Sequence, residues 1–301
     1  MKTNNVPHKP NWQWRGITML FPLLFLFYSV ASAQTDSIEY WKSKYLEEVS
    51  ALRCQSNPPV IITNVQMIGL GATNILDTYL SAEKYRGTEL RYISLTTRRR
   101  GNNPWSRQII YQGDISYAHN RADNGNEMVG MFNFSYGMNR NWQLLDDRLD
   151  LNVGALIDAN FGFVYNTRNS NNPAQLKAYI NVTPSAATAY HFNIRNQRFT
   201  VSYQIFIPFA GLMFSPNYGQ SYYEIFSKGN YDHNLVPTTF ASCPSMRQML
   251  SLDFSIGKSA IRIGYLGDYQ QADINRLKSH IYTHALIIGV VKKFSINKIR
   301  P

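Results

Sequence analysis

The 301-residue sequence is poor in charge, since Asp, Glu, Lys and Arg make up 16% of it, against about 25% in typical soluble domains. Its two cysteines are too few for a disulfide-rich secreted scaffold. After residue 33 no run of about 18 consecutive apolar residues predicts a membrane-spanning helix. The signatures G-x-S-x-G and H-E-x-x-H and a phosphate-binding glycine loop are also missing. Low charge together with 20 tyrosines is unusual for a soluble enzyme and favours a β-barrel surface that faces lipid.

The first 33 residues predict a cleaved export signal. Lys2, Lys9 and Arg15 precede the uncharged apolar run 17–30, and the tripeptide 31–33 is a small-x-small cleavage site. The apolar run is shorter than the about 20 residues of a spanning helix, so cleavage is favoured over anchoring. No cysteine follows the cleavage site, which argues against a lipoprotein.

The remaining chain, 34–301, is basic. The signal holds three of the 30 basic residues and none of the 19 acids, so the net charge of the mature chain is 27 minus 19, or +8. Export makes nucleic acid a poor partner, and the excess charge predicts contact with outer-membrane lipid headgroups and lipopolysaccharide phosphates. The densest cluster, 98–100, is interpreted as a solvated turn beside a membrane in preference to a ligand site.

Residues 34–59 are predicted to be a periplasmic segment with one short amphipathic helix. Within 36–53, apolar residues approximate helical spacing, and Asp36 with Glu39 resembles a capping box. The residues of this apolar stripe are Ile38, Trp41, Tyr45, Val49 and Leu52. After Pro59 the hydrophobic period changes to two, which predicts strands through the segment 60–301.

Alternation is clear in 105–119, where odd positions are largely apolar or aromatic and even positions are largely polar. It recurs in segments that are often 12 to 18 residues long, whereas strands of soluble proteins usually have about 5–6 residues. We therefore predict an all-β, antiparallel transmembrane β-barrel with about ten strands, and keep a soluble β-sandwich as the less favoured reading. The predicted strands are 60–71, 87–97, 105–119, 127–138, 149–165, 175–194, 198–213, 246–257, 259–270 and 280–294.

The connections predict which end of the barrel is which. Turns at 195–197 and 257–258 are short and are assigned to the periplasm, whereas the connections 120–126, 166–174, 214–245 and 271–279 are assigned to the outside. The connection 139–148 is longer than this pattern expects. A further hairpin within 214–245, around residues 222–226, would raise the strand number to twelve. Aromatic residues near strand ends, including Trp105, Tyr165 and Tyr269, are expected at the lipid headgroups.

A two-residue turn at 257–258 fixes the register of one hairpin. In this register Asp253 meets Arg262, and Arg247 meets Asp268, both on the polar face. A slip by one residue would place these partners on opposite faces. Because charge is costly on the lipid side, we predict two charge pairs in the lumen.

The lumen is expected to be narrow and largely filled, without a catalytic or metal site. Asp114 and Asp158 also project inward by parity, and carboxylates of this kind can activate water, but a ladder of salt bridges is the favoured interpretation. His280 and His284 lie about 13 Å apart on an extended strand, which is too far for one metal ion. No cofactor is predicted.

Cys54 and Cys243 form a possible disulfide, because an exported chain meets an oxidising compartment. The predicted topology places Cys54 in the periplasm and Cys243 in the long outer loop. Bond formation would therefore require either an N-terminal segment that threads the lumen or the inverted topology.

The stretch 71–91, GATNILDTYLSAEKYRGTELR, resembles the entry segment of a family of uncharacterised Gram-negative outer-membrane β-barrels. The resemblance extends loosely over 60–294 and implies a barrel fold, but it implies no activity, because the function of that family is unassigned. The residues that carry the resemblance are Asn74, Asp77, Tyr79, Leu80, Ser81, Tyr85, Gly87, Glu89 and Arg91.

These observations favour a non-enzymatic outer-membrane barrel with a role in envelope structure or narrow solute passage. Phe294 is a candidate for the aromatic residue that ends the last strand of such barrels and is read by the barrel-assembly machinery, although seven residues follow it. One alternative is an outer-membrane hydrolase, protease or lipid-modifying, with a site at the outer rim that includes Asp232 and His233. Another alternative is a surface adhesin or receptor that uses the loop 214–245.

Overall fold

The computed structural model describes residues 42–49, 58–101, 103–195, 197–256 and 259–296. They belong to two units that divide between Asn57 and Pro58. The first unit contains helix α1 (42–49), which lies inside the predicted helical stretch 36–53; the rest of that stretch and the predicted signal fall outside the described residues. Within the ranges given above, no helix has the length and apolar character needed to cross a membrane.

The second unit is a sheet of long antiparallel strands. Its elements are β1 (Val60–Asp77), β2 (Ser81–Arg100), β3 (Trp105–Asn120), β4 (Asn126–Leu144), β5 (Leu149–Asn166), β6 (Ala174–Ile194), β7 (Gln197–Phe206), β8 (Ala210–Phe214), α2 (Tyr222–Phe226), β9 (Leu235–Thr239), β10 (Met246–Ile256), β11 (Ser259–Ile274) and β12 (Leu277–Ile296). Ten of these strands form a closed ring in the order β5-β4-β3-β2-β1-β12-β11-β10-β7-β6, because β6 pairs again with β5. The predicted ten-stranded antiparallel barrel is confirmed.

The register shows that the strands are tilted. From Arg91, successive partners through β3, β4 and β5 lead to Lys177 on β6. Partners in the other direction, through β1, β12, β11, β10 and β7, lead to Ala189 on the same strand. This displacement of twelve positions around ten strands corresponds to a tilt of about 40°, which is typical of closed barrels.

Alternation along each strand separates an inner face from an outer face. On β3, Ile115 is 64% exposed on the outside, whereas the neighbouring Asp114 is 6% exposed and points inward. The same pattern holds along β3 from Ser106 to Asn120, with even positions buried. The apolar and aromatic face of the segment 105–119 is therefore the outer face of the barrel.

The two ends of the barrel differ. We call the end that carries Val60 and Ile296 the terminal rim, and the opposite end the loop rim. The connection expected at 139–148 is shorter, 145–148, because β4 continues to Leu144. At the loop rim the expected connection 271–279 is only the turn 275–276, in which both residues have positive φ.

Two further corrections concern the segment from β7 to β9. The predicted strand 198–213 is divided into β7 and β8. The break contains Pro208, which has no backbone N–H to donate to a neighbouring strand. Beyond this break β6 pairs with β8, and β8 pairs with β9 in place of β10. The sequence allowed a twelve-stranded barrel with a further hairpin around residues 222–226. The structure does have two strands beyond the ten of the ring, β8 and β9, but they lie outside the closed ring and at other residues.

Residues 222–226 form helix α2 instead of a hairpin. The Ser221 hydroxyl accepts a hydrogen bond from the Glu224 backbone N–H, and the Glu224 carboxylate accepts one from the Ser221 N–H. This capping box satisfies N–H groups that a helix end leaves unpaired. The sequence S-Y-Y-E at 221–224 carries this signal, which the strand interpretation overlooked.

The interior is layered and not uniformly polar as alternation suggested. A lower apolar layer lies toward the terminal rim and is formed by Val65, Met67, Ile93, Leu95, Ile110, Leu156, Phe206, Met249, Leu266, Ala285, Ile287 and Val291. An upper apolar layer lies toward the loop rim and is formed by Ile75, Leu80, Tyr85, Ala118, Val129, Met131, Val164 and Ile281. Since a ten-stranded barrel is narrow, inward side chains from opposite walls pack against each other.

Candidate functional site: the charged layer of the lumen

A charged layer separates the two apolar layers. Arg91 lies on β2 between Ile93 of the lower layer and Tyr85 of the upper layer, and its side chain is 1% exposed. Its guanidinium group is surrounded by carboxylates from three strands. Arg91 Nε lies 2.6 Å from Glu89 Oε1, Nη1 lies 2.5 Å from Asp268 Oδ2, and Nη2 lies 3.4 Å from Asp114 Oδ1.

The second guanidinium of the layer comes from β10. Arg247 Nε donates to Asp268 Oδ2 at 3.2 Å, so Asp268 bridges Arg91 and Arg247. Arg247 Nη1 also donates to Asn133 Oδ1 on β4 at 3.4 Å. Asn133 in turn donates to the Asp158 carboxylate on β5. The network therefore connects strands on opposite sides of the ring.

Neutral donors complete the coordination of the buried carboxylates. Thr283 donates to Glu89 Oε2 at 2.6 Å, and Ser135 donates to Asp158 Oδ1 at 2.7 Å. Burial of ions is expensive, and such groups persist only when partners satisfy them. Because a guanidinium presents five donors in a fixed plane, Arg91 can hold three carboxylates at once.

This arrangement can cross-link the barrel and obstruct its lumen. Two guanidiniums face the four carboxylates Glu89, Asp114, Asp158 and Asp268. In the described part of the chain no histidine, cysteine or lysine side chain makes a hydrogen bond or an ion pair with these six residues. Within the residues described, the layer therefore lacks the imidazole or amine base of the common nucleophilic triads.

The structure brings together the residues of the predicted hairpin. Register partners are Asp253 with Arg262 and Arg247 with Asp268, the register that the turn at 257–258 implies. Arg262 donates to both carboxylate oxygens of Asp253, at 2.6 and 2.8 Å. Sequence reasoning missed Arg91 and Glu89 as members of the layer. Parity along β2, where 85, 89 and 91 are buried, was the signal that could have identified them.

Below the lower apolar layer, a cavity of about 470 Å³ opens at the terminal rim. The Asp253–Arg262 pair lines this cavity, so it is separate from the charged layer around Arg91. His191 lies on the same wall, with Nε2 2.9 Å from Asp150 and Nδ1 2.8 Å from Thr200. These contacts hold the imidazole as a structural element of the cavity wall.

The predicted rim residues lie apart from the charged layer. His233 Nδ1 is 2.7 Å from Asp232 Oδ1, and the two side chains are 79% and 77% exposed. Neither one bonds to a hydroxyl or thiol within the described residues, so the pair lacks a nucleophile. Cys243 is half-buried in the connection between β9 and β10, at the loop rim. Cys54 falls outside the described residues, and the disulfide stays a prediction that the mass of the unreduced protein would test.

No group of three or more His, Cys, Asp or Glu side chains in the described ranges is arranged to hold a metal ion. His280 and His284 are on the outer face of β12, where each has a different partner. His280 Nε2 lies 3.1 Å from Asn74 Oδ1, and His284 Nδ1 lies 2.5 Å from Tyr265 Oη.

Fold and site together define a closed ten-stranded β-barrel with an apolar outer face and a lumen crossed by a charged layer. The chain belongs to the family described as Protein of unknown function (DUF3316), whose model matches residues 19–301. The resemblance to an uncharacterised barrel family that the residues of 71–91 suggested is thereby confirmed, and that segment is the β1–β2 hairpin.

Several solved outer-membrane barrels resemble the structure at low sequence identity. The transport unit of the autotransporter AIDA-I from Escherichia coli has 9% identity and a TM-score of 0.42, covering 78% of this chain and 89% of that one. The outer membrane protease OmpT from Escherichia coli has 5% identity and a TM-score of 0.41, covering 78% and 97%. The translocator domain of the autotransporter NalP from Neisseria meningitidis has 10% identity and a TM-score of 0.37, covering 86% and 97%. No curated protein matches the chain significantly in sequence.

Proposed function

We propose that this chain is an integral outer-membrane barrel with an architectural role in the cell envelope, and that its lumen is closed to freely diffusing solutes. The observation that carries this proposal is the charged layer, in which Arg91 and Arg247 connect carboxylates from opposite walls. Apolar layers on both sides of it disfavour hydrated ions and support the same conclusion.

The outer face supports insertion into lipid. Leu70, Phe161 and Leu286 are exposed on the outside by 66%, 63% and 72%, and they belong to a belt of exposed apolar residues on neighbouring strands. A soluble monomer rarely exposes a continuous apolar surface of this extent. In a bilayer the same surface is favourable, because hydrocarbon replaces water around it.

The proposed orientation places the terminal rim in the periplasm and the loop rim outside. Two features support this orientation. The connections at the terminal rim are short, and the longest connection, between β8 and β10, lies at the loop rim. Export through the predicted signal 1–33 and insertion by the barrel-assembly machinery are parts of the proposal. Phe294 on β12 is 46% exposed and available to such a machinery.

A narrow cation passage is the second candidate function, and one observation favours it. The cavity of about 470 Å³ enters the lumen from the terminal rim. The layer above it holds four carboxylates and two guanidiniums, an excess of negative charge that attracts cations. Movement of the Arg91 side chain would then open a path with preference for cations.

Conductance in planar lipid bilayers tests both candidates. We expect the wild-type barrel to insert without a stable current. Simultaneous Arg91→Ala and Asp268→Ala substitutions remove bridging groups of opposite charge, and we expect discrete ion currents from this variant. The matched control is Asp253→Ala with Arg262→Ala, which removes an ion pair from the wide cavity and should leave the barrel silent. A large steady wild-type current would contradict the closed lumen, and a small cation-selective current would favour the narrow passage.

A further inference from the structure

The outer wall of β12, β1 and β2 changes from apolar to polar toward the loop rim. The apolar row consists of the register partners Leu70, Leu90 and Leu286. Four positions nearer the loop rim, the corresponding partners are Asn74, Arg86 and Tyr282. The apolar belt therefore ends between these rows, about 13 Å apart along each strand, and the polar row stands where lipid headgroups begin.

Two cations without partners lie on this part of the wall. Lys84 and Arg86 are exposed and alternate with the buried inward residues Tyr85 and Glu89. Neither cationic side chain makes an ion pair or a hydrogen bond with another residue in the described ranges. Both are thus free to meet an anion from outside the barrel.

Beside the two cations, strands β11, β12 and β1 carry a rigid group of aromatic and polar side chains. The His280 ring stacks on Tyr282 with centroids 4.4 Å apart and bonds Asn74 at 3.1 Å. Tyr265 Oη lies 2.5 Å from His284 Nδ1. Tyrosine and histidine groups with an apolar body and a polar tip suit the boundary between hydrocarbon and headgroups.

An apolar groove of about 520 Å³ lies on the outer wall across β1 to β5, within the apolar belt and on the terminal-rim side of the cations along β2. Gly113 and Gly130 face outward from β3 and β4 and form part of its lining. Gly113 leaves open space where another residue would project, whereas the Phe163 ring lies over Gly130. The groove begins on β2 at Leu90, four positions below Arg86. The outward side chains that line it besides Leu90 are Ile68, Tyr92, Ile115, Phe132, Phe161 and Phe163.

We propose that this wall binds one phosphorylated lipid, the lipopolysaccharide of the outer leaflet, with a phosphate between Lys84 and Arg86 and an acyl chain in the groove below. A cationic pair together with an apolar groove matches an amphiphile that has an anionic headgroup. The cations alone or the groove alone would not be specific for such a lipid. The inference rests on the proposed function, because only a barrel inserted in the outer membrane with the loop rim outside meets this leaflet.

Native mass spectrometry of the purified full-length protein tests the cationic half. The probe is rough lipopolysaccharide titrated into the protein in detergent micelles. We expect Lys84→Gln with Arg86→Gln to weaken binding about twentyfold, since each surface cation contributes about fivefold to attraction of an anionic lipid. Arg98→Gln with Arg100→Gln is the matched control, because it removes two exposed cations from the other end of the same strand. Equal weakening in both variants would overturn the proposal.

Gly113→Val tests the groove without a change in charge. A Cβ atom at Gly113 would meet only the Met131 carbonyl oxygen, at 3.9 Å, so the backbone tolerates the substitution. The added side chain fills the groove, and we expect binding to weaken severalfold. Ala155→Val, on the outer face of β5 away from the groove, is the matched control and should bind as wild type. Unchanged binding by Gly113→Val would overturn the acyl-chain placement.

Two further probes identify the lipid. Lipopolysaccharide whose lipid A phosphates have been removed should bind wild type as weakly as the Lys84 and Arg86 variant does. Phosphatidylglycerol that binds as tightly as lipopolysaccharide would overturn the assignment to lipopolysaccharide. Suppose that the wild-type protein remains in the membrane after an alkaline wash but that every variant binds lipopolysaccharide as wild type does. The lipid-binding inference then fails and the proposed function stands. Recovery of wild type in the aqueous fraction would instead remove the proposed function.

Discussion

Arg91 shows how one side chain joins several strands. Its guanidinium contacts Glu89, Asp114 and Asp268, which come from β2, β3 and β11. Each partner alone would leave a buried ion without sufficient compensation. Together they replace most of the hydration that the four groups lose on folding, so the cluster is stable only as a unit.

Removal of Arg91 should therefore be costly. Arg91→Met preserves much of the side-chain volume but leaves three buried carboxylates without their central cation, and we expect a loss of about 3–5 kcal/mol in the free energy of unfolding. Urea unfolding in detergent, followed by the fluorescence of Trp41, Trp105 and Trp142 in the mature chain, measures this loss. Arg98→Met is the control at an exposed position of the same strand and should change stability by less than about 0.5 kcal/mol. Equal losses would contradict the role assigned to Arg91.

At the scale of elements, the β10–β11 hairpin is held in register by charge as well as by its backbone pairing. Asp253 and Arg262 are direct partners, and their side chains are 13% and 12% exposed. Partial burial protects the pair from screening by salt. A bidentate guanidinium contact also fixes the relative position of the two strands.

A double-mutant cycle on this hairpin should reveal that interaction. We expect a coupling energy of about 1 kcal/mol between Asp253→Asn and Arg262→Gln, and a charge swap, Asp253→Arg with Arg262→Asp, should recover part of the stability that either single reversal loses. The control is Asp273 with Lys278, an exposed cross-strand pair 3.7 Å apart, for which coupling should stay below about 0.5 kcal/mol. Similar coupling in both cycles would mean that burial is not the relevant difference.

Helix α2 supplies a test that depends on pH. Hydrogen bonds from the Ser221 backbone N–H and hydroxyl lower the pKa of Glu224 below its ordinary value. A lowered folded-state pKa stabilises the helix above the ordinary pKa of glutamate, and this stabilisation is lost as the pH falls through the folded-state pKa. Ser221→Ala should raise the Glu224 pKa, because the hydroxyl contribution disappears. Carbon-13 NMR titration of the Glu224 carboxyl measures it, and an unchanged pKa would contradict the capping geometry.

At the scale of the whole molecule, the inner and outer surfaces reverse the usual distribution of residues. Arg91, Asp114 and Asp268 are buried, whereas Leu70, Ile157 and Leu286 are exposed. In water such a molecule would associate or aggregate through its outer wall. In a bilayer the same distribution is stable, because the hydrocarbon surrounds the apolar belt and the barrel encloses the charges.

A charge in the middle of the apolar belt tests this view of the whole molecule. Ile157→Arg lies midway along the outer face of β5 and should destabilise the folded barrel by about 2–4 kcal/mol in lipid vesicles. Tyr218→Arg, at a residue that is 74% exposed near the loop rim, is the control and should be nearly neutral. If Ile157→Arg were equally neutral in vesicles, the outer face would not meet hydrocarbon.

Much of the fold could be predicted because alternation is a local property. Every second residue of 105–119 faces the outside of the barrel whatever its distant neighbours are, so the pattern identifies strands and their two faces directly. The pairing of Asp253 with Arg262 could be predicted for a related reason, because a two-residue turn fixes the register between adjacent strands. Pro208 and the capping box at 221–224 are also local signals, and they explain the boundaries that alternation alone misplaced.

The sequence by itself determined the barrel class, the outward-facing side of the strands and the register of one hairpin, since these depend on neighbours along the chain or across one turn. Only the tertiary structure decided that Arg91 joins Asp268, 177 positions away, and that the strand of Lys84 and Arg86 shares an apolar groove with β1, β3, β4 and β5. Both depend on ring closure and strand tilt, which bring distant residues to the same height of the wall or the lumen. No pattern within one strand contains that information.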